Sequence, residues 1–307
     1  MYEIAIYIYL VGVAIASRFS AKVKKMWDGD RSAIRILREK VDPNAKYVWV
    51  HAASLGEFEQ GRPLIERIRR EHPEYKILLT FFSPSGYEVR KNYSGADIIT
   101  YLPIDTRRNA YRFLTAVRPV MAFFIKYEFW YNYLHILRPR NIPTSIVSSI
   151  FRDNQIFFRW YGKGYANVLR CFTKLFVQNE KSRELLATLN INNVEVVGDT
   201  RFDRVLDIKD AAKQLPIVES FKNGHKALVA GSSWQPDEEI FIPYFADHKD
   251  WQLIIAPHVI GEDHLQQIES LLKASGRKSY RYTSLAEAYE QSGVMPEMEP
   301  GAALIIN

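Results

Sequence analysis

From Tyr47 onward, short runs that are apolar throughout alternate with amphipathic segments, and this alternation constrains the fold more than any other feature of the chain. The runs are 47–51 (YVWVH), 76–80 (KILLT), 98–102, 119–125 (PVMAFFI), 143–147 and 173–177. Between them the spacing predicts helices over 57–71, 84–92, 107–117, 129–138, 156–170 and 180–189. Strands apolar on both faces, each followed by a helix, require a parallel sheet covered on both sides. A second series opens with 226–230 (KALVA) and 252–256 (QLIIA), carries helices near 236–246 and 261–274, and closes on 302–306 (AALII). Residues 206–223 are polar, contain Pro216 and lack a strand pattern, so they mark the domain junction. The predicted class is α/β, with two Rossmann-like domains. The second series stops at Asn307, directly after an apparent buried strand. A doubly wound domain normally continues there with a loop and helix, so the second domain is expected to be incomplete.

The N-terminus carries a different signal. Residues 4–16 (IAIYIYLVGVAIA) form an unbroken apolar run, followed by Arg18, Lys22, Lys24 and Lys25. At roughly 1.5 Å per residue the run covers about 20 Å, short of a ~30 Å hydrocarbon core. Ala14-Ile15-Ala16 imitates a cleavage site, yet Glu3 precedes the run where a signal peptide carries positive charge. Basic residues after the run keep the following domain cytoplasmic, and each adds about 1 kcal/mol beside anionic headgroups. Residues 1–25 therefore read as a membrane-anchor segment, with a buried core helix as the other reading.

Composition narrows the partners. A chain of 307 residues, 47% apolar and 25% charged, is long enough for two cores and excludes wholesale disorder. The net charge of +6 asks for an anionic partner, which leaves nucleic acid, a phospholipid surface or a phosphorylated substrate. The basic residues are scattered rather than interleaved with aromatics in a stripe, which argues against nucleic acid. Cys171 stands alone, so there is no disulfide framework or thiolate metal site. The seven histidines show no paired ligand spacing, and no metal or other cofactor is expected. There is no G-x-x-x-x-G-K-[ST] phosphate loop, and Gly162-Lys163-Gly164 lies inside a helical pattern, where a dinucleotide fingerprint does not belong.

In open α/β sheets ligands bind beyond the carboxyl ends of the strands, so the strand-to-helix turns are the places to look. The first runs Ala52-Ala53-Ser54-Leu55-Gly56-Glu57. Ser54 and Glu57 have capping-box spacing. Glu57 is equally a carboxylate at a strand end, kept ionised by the helix dipole, with Gly56 leaving room for a substrate. The second turn, Thr80 to Gly86, offers Ser83, Ser85 and Gly86 at a helix start, suited to a bound anion or to ordinary capping. The third, Lys126-Tyr127-Glu128-Phe129-Trp130, sets an acid and a base among aromatics. In the second series Gly231-Ser232-Ser233-Trp234 precedes Asp237, Glu238 and Glu239, and Ala256-Pro257-His258 ends the next strand.

Taken together these turns resemble the Kdo (3-deoxy-D-manno-octulosonic acid) transferases of lipopolysaccharide assembly. The matching stretches are HAASLGE (51–57), TFFSPSG (80–86), YLPID (101–105), KYEFWYN (126–132), FVQNE (176–180), GDTRFD (198–203), GSSWQPDEE (231–239) and APH (256–258). They occur in the family's order and cover nearly the whole chain. The resemblance implies a GT-B glycosyltransferase fold, with an acceptor-binding domain over 26–212 and a partial CMP-Kdo-binding domain over 213–307. It implies inversion at the anomeric carbon without an active-site metal, a lipid A precursor as acceptor, and a place on the cytoplasmic face of the bacterial inner membrane. Glu57 falls on the family's catalytic base and Glu128 on a second acidic position. Ser54, Gly56, Ser83, Ser85 and Gly86 fall on the acceptor side. Gln178, Asn179, Gly198, Thr200, Ser232, Ser233, Trp234, Glu238, Pro257 and His258 fall on stretches that line the donor side. Many members have an acidic residue where Lys126 stands and an arginine where His258 stands. Another envelope nucleotide-sugar transferase of the same architecture, or a noncatalytic membrane-surface binding protein, are the competing readings.

Overall fold

A computed structural model describes residues 2–162, 164–210, 214–294 and 298–307. Contacts divide the chain into two compact units, Met1–Ala211 and Ala212–Asn307. The boundary read at 212/213 falls outside the described residues.

The first unit opens with α1 (Tyr2–Ala16) and α2 (Ala21–Lys40), then alternates as the apolar runs dictate. The order is β1 (Lys46–His51), α3 (Leu55–Glu71), β2 (Tyr75–Phe81), α4 (Pro84–Arg90), β3 (Ile98–Tyr101), α5 (Arg107–Val117), β4 (Met121–Ile125) and α6 (Tyr131–Leu137). There follow β5 (Thr144–Ser149), β6 (Lys174–Val177), α7 (Glu180–Ala187), β7 (Val194–Val196) and α8 (Arg201–Asp210). The seven strands are parallel in the order β3-β2-β1-β4-β5-β6-β7.

Alternate residues of each strand serve two separate cores. Tyr47 and Trp49 of β1 join Phe113, Phe124, Tyr133 and Leu134 on the face covered by α2, α5 and α6. Val48 and Val50 join Phe58, Ile65, Leu79 and Ile125 on the face covered by α3. Continuous apolar strands are required because both faces are buried.

The second unit is a four-stranded parallel sheet ordered β10-β11-β9-β8. Its elements are α9 (Pro216–Lys222), β8 (Lys226–Ser233), α10 (Gln235–Tyr244), β9 (Trp251–Pro257), α11 (Glu262–Ala274), β10 (Ser279–Arg281), α12 (Tyr282–Ser292) and β11 (Ala303–Ile305). Ile242, Leu265 and Ile268 pack on one face, Phe221 and Leu285 on the other.

Three features depart from the sequence reading. The helix expected over 156–170 is instead a set of 3-10 turns, Ile156–Phe158, Trp160–Gly162 and Tyr165–Cys171. Its buried residues Val168 and Cys171, with Ala166, Leu169 and Phe172, recur every three positions, the period of a 3-10 helix. The chain is also tightly wound there, since a Cβ on Gly162 would lie 1.7 Å from the Ile156 carbonyl oxygen. Lys163 lies outside the described residues. Within the polar stretch 206–223, α9 starts on Pro216, whose missing N–H costs nothing at a helix start. Finally, α2 was not anticipated, though Gly29, Ala33 and Leu37 bury one face at helical spacing and Ser20 caps it.

Helix α1 packs on the protein along one face only. Tyr2, Ile6 and Val13 face the protein, where Val13 is buried, while Ile4, Ile8, Val11 and Ile15 on the opposite face are exposed. A helix apolar on all sides normally lies in a core or in lipid. No helix among the described residues is long and apolar enough to cross a membrane.

Candidate active site

Strand order reverses between β1 and β4, where β1 leads to β2 on one side and β4 continues to β5 on the other. Such a switch point opens a crevice at the carboxyl ends of the strands. The turns after β1, β2 and β4 meet there. Phe82 and Ser83 donate backbone N–H bonds to the Ala53 carbonyl at 3.2 and 2.7 Å, tying the first two turns together. Gly86 makes that contact possible, because a Cβ there would lie 2.3 Å from Phe81 and 3.1 Å from the Ser54 backbone. Gly86 therefore serves close packing. Gly56 faces open space. Ser83 caps α4 through Ser85 N–H, and the two hydroxyls are 3.0 Å apart.

Glu57 stands in the first turn of α3. Ser54 Oγ accepts from Glu57 N–H at 3.4 Å, as a cap should. The Glu57 carboxylate reaches back one residue further than a standard capping box and accepts from Ala53 N–H at 2.6 Å. Burial, and then the charge of Glu128, push its pKa up from 4.5 to about 7, against the Ala53 and Ser54 N–H groups and Lys126. The expectation that the helix dipole keeps Glu57 ionised is thus corrected. Removal from water and a neighbouring carboxylate outweigh the helix terminus, which leaves Glu57 poised near neutrality. Lys126 itself stands at φ 71°, a left-handed conformation uncommon outside glycine.

Behind Glu128 runs a chain of buried polar groups that the sequence reading did not assign. Glu128 accepts from Trp130 Nε1–H at 2.5 Å and lies 3.0 Å from His51 Nε2. A proton on His51 Nε2 would donate to that carboxylate, and Nδ1 lies 3.1 Å from the Thr80 carbonyl oxygen. His51 Nδ1 also faces the Thr80 hydroxyl at 2.9 Å, and Thr80 Oγ1 accepts from Trp49 Nε1–H at 2.8 Å. His51, Trp49 and Thr80 are fully buried, and the Trp130 ring stands at 87° to His51. Parallel pairing places His51 opposite Thr80 in β2 and Phe124 in β4. A histidine ending an apolar strand was the available signal.

Beside these groups lies a cavity of about 360 Å³, lined by Tyr2, Ile6, Phe82, Glu128, Phe129 and Trp130 among others. Asp105 sits in its wall. Its carboxylate accepts from Tyr2 Oη–H at 2.6 Å and from the Asn132 and Tyr133 N–H groups. Burial pushes the Asp105 pKa up to about 6 despite those bonds.

Several residues expected on the donor side are committed to holding the fold. Gln178 Nε2 donates to the Ser148 carbonyl at 2.9 Å, and Asn179 caps α7 by accepting from Ser182. Thr200 Oγ1 donates to the Gln60 carbonyl at 2.9 Å, while Gly198 stands at φ 80° with open space around it. In the second unit the Glu238 carboxylate is fully buried and bonds Ser233 Oγ and His264 Nε2, both at 2.8 Å. Glu238 thus supports the turn from beneath. Ser232 (φ 60°) lies 2.7 Å from His258 Nδ1, and the half-exposed Trp234 stacks on the His258 ring at 4.4 Å. Pro257 ends β9 beside Ser233.

Residues 29–204 match the family model of 3-deoxy-D-manno-octulosonic-acid transferase (kdotransferase). The chain belongs to the Kdo transferase family. Similar proteins include the 3-deoxy-D-manno-octulosonic acid transferase of Haemophilus influenzae, 26% identical over 65% of this chain and 48% of that protein. That of Aquifex aeolicus is 25% identical over 84% of this chain and 68% of that protein. A bifunctional glycosyltransferase/methyltransferase of Fusobacterium nucleatum is 26% identical over 78% of this chain and 38% of that protein. The chain spans about half the length of most curated relatives it matches. Among solved structures, the UDP-GlcNAc 2-epimerase of Neisseria meningitidis superimposes with a TM-score of 0.53 at 13% identity, covering 75% of this chain and 69% of that one. A putative UDP-N-acetylglucosamine 2-epimerase of Listeria monocytogenes gives 0.54 at 12%, covering 74% and 66%. Those likenesses show the Rossmann-like fold of GT-B type.

The part of the chain that matches the Kdo transferase model contains the β1, β2 and β4 turns, hence Glu57, Glu128 and the His51–Thr80–Trp49 chain. The second-unit turns around Ser232 and His258 lie beyond it.

Proposed function

We propose that this protein is a metal-independent, inverting glycosyltransferase that moves Kdo from CMP-Kdo to the distal glucosamine of a lipid A precursor. The observation that carries this reading is Glu57, a carboxylate at the switch point with its pKa pushed up to about 7. A base with that pKa is half-deprotonated near neutrality and still strong enough to accept a proton. In the proposed step the acceptor's primary hydroxyl attacks the anomeric carbon of Kdo. Its proton passes to Glu57, the new glycosidic bond forms, and the bond to CMP breaks with the electron pair leaving on the phosphate. Glu128, held by His51 and Trp130, raises the basicity of Glu57 and orients the acceptor. Ser54, Gly56, Ser83 and Ser85 border the acceptor, and Gly86 lets their two turns pack together. In the second unit Ser232, Trp234 and His258 are proposed as donor-side groups, on turns shaped by Ser233, Glu238 and Pro257; Gln178, Asn179, Gly198 and Thr200 are proposed as the first unit's donor-side residues.

The apolar outer face of α1, with Phe19 and the basic residues Arg18, Lys22, Lys24 and Lys25 that follow it, fits an anionic membrane surface. The protein is proposed to lie on the cytoplasmic face of the inner membrane by this face, without spanning it. The deciding experiment is Kdo transfer from CMP-Kdo, generated in situ, to a tetraacylated lipid A precursor. The parent chain, or the chain extended to the family's length, should form product, and Glu57→Gln should lose at least about 100-fold. No product from either form would refute the substrate assignment.

A further inference from the structure

We propose that the cavity between α1 and the Glu128 turn binds one fatty acyl chain of the acceptor, so that α1 is a wall of the substrate site as well as a surface attachment. This rests on the transferase reading above only for the identity of the acceptor.

Three observations converge on an alkyl chain. First, the wall is aromatic and aliphatic, contributed by Ile6, Tyr9, Phe82, Phe129 and Trp130. Several of the polar groups in that wall are already engaged. Asp105 is bonded by Tyr2, Asn132 and Tyr133, Tyr165 Oη donates to the Phe129 carbonyl, and Trp130 Nε1 donates to Glu128. A polar ligand would find few free partners, whereas an alkyl chain needs none. At about 360 Å³ the cavity is within the usual range of ligand pockets, roughly 300–1,000 Å³.

Second, α1 is fastened in place as a wall. Tyr2 bonds Asp105 and lies 4.9 Å from the Tyr131 ring, and Asn132 Nδ2 donates to Glu3 at 2.6 Å. Tyr2, Ile6 and Tyr9 share one helical face by their spacing, and all three line the cavity. The opposite face, Ile4, Ile8, Val11 and Ile15, is exposed. One short helix thus presents apolar surface both to the cavity and outward, and a chain leaving a lipid surface meets no polar barrier along it.

Third, charge complements an amphiphile with an anionic head. Lys22, Lys24 and Lys25 begin α2 directly beyond α1, and the carboxylate lining the cavity is Glu128, whose charge reaches Glu57. A ligand with an alkyl chain, an anionic head and a hydroxyl delivered to carboxylates satisfies all three. An acylated phosphosugar has that chemistry.

The test uses the full chain and bromine-labelled dodecanoic acid, a contact quencher of indole fluorescence, in the absence of membranes. Saturable quenching is expected in the parent, abolished for the most part in Trp130→Phe, since Trp130 lines the cavity. Ile6→Phe, which fills the cavity, should weaken binding at least about tenfold with an unchanged melt. Tyr9→Ala supplies a second wall variant should Ile6→Phe fail to fold. Ile8→Ser, on the outer face, should bind like the parent yet adsorb less to vesicles of phosphatidylglycerol. Quenching that survives Trp130→Phe, or equal losses in Ile6→Phe and Ile8→Ser, would overturn the proposal, because the chain would then sit elsewhere or only on the surface. Failure of the transferase reading looks different. Laurate binding with no Kdo transfer to any acceptor would keep the cavity and remove the enzyme. Transfer with no laurate quenching would keep the enzyme and remove the cavity.

Discussion

Replacing Glu57 with glutamine should make the protein more stable above neutral pH while removing transfer, and the two readings of this residue differ in the sign of the first effect. In the folded chain the Glu57 pKa is about 7, raised from 4.5 by burial and by Glu128. The folded state therefore holds the Glu57 proton more tightly than the unfolded state. The resulting stability is fully present below pH 4.5 and is lost as pH rises through 7. At about 1.4 kcal/mol per pKa unit, ionised Glu57 costs the fold up to about 3 kcal/mol above pH 7. Glu57 keeps some contact with water, which screens the charge and brings the cost to about 2 kcal/mol.

Glutamine preserves shape, and its carbonyl oxygen can still accept from Ala53 N–H, but it carries no charge. Glu57→Gln should then raise Tm at pH 8 by about 4–8 °C for a unit of this size and leave it nearly unchanged at pH 4. Thermal melts followed by tryptophan fluorescence at the two pH values measure this. In the same variant transfer should fall by 10²- to 10⁴-fold, about what a general base contributes, and the parent rate should rise with pH through an apparent pKa near 7. A lower Tm for Glu57→Gln at pH 8 would refute the reasoning. It would mean that the carboxylate acts as a stabilising cap, worth about 1 kcal/mol to the helix start, and that nothing holds it poised for catalysis.

His51→Gln should cost about 2–4 kcal/mol by leaving Glu128 and Thr80 without their buried partner, and should lower kcat more than KM. Unchanged kcat in a folded variant would remove any role for His51 in positioning Glu128. Gly162→Ala should destabilise the chain by roughly 3 kcal/mol or more, because its Cβ would collide with the Ile156 carbonyl oxygen at 1.7 Å; a urea melt with an unshifted midpoint would contradict the tight 3-10 winding. Tyr2→Phe removes a hydrogen bond to Asp105, about 1.5–3 kcal/mol while that carboxylate is ionised. Since the Asp105 pKa is about 6, the loss measured at pH 8 should shrink toward pH 5, and an equal loss at both would refute an ionised Asp105.

The apolar runs of the sequence carried the architecture to within a residue or two at most strand ends. A strand covered on both faces has no polar position to mislead the reading, so 76–80 and 252–256 lie within β2 and β9. Short edge strands gave no such signal. β7 and β10 have only three residues each and are defined by their neighbours in the sheet. The failed helix over 156–170 has a similar origin, because a helical sequence pattern does not separate period 3.6 from period 3 over so few turns.

Within each unit, the sequence alone determined which side chains stand at or just beyond strand ends, because chain direction and strand length fix that, and Glu57, Glu128 and Ser232 were legible in that position for this reason. Tertiary structure alone decided what those groups experience. The sequence suggested that a helix terminus would keep Glu57 charged, yet burial and Glu128, 71 residues away, dominate. Likewise only the fold gives Glu238, an acid beside the Ser232 turn in the sequence, a buried position with Ser233 and His264 on its two oxygens. Position along a strand is a local property of the chain. The free energy of a charge depends on every group and every water within several ångströms, and only folding brings those together.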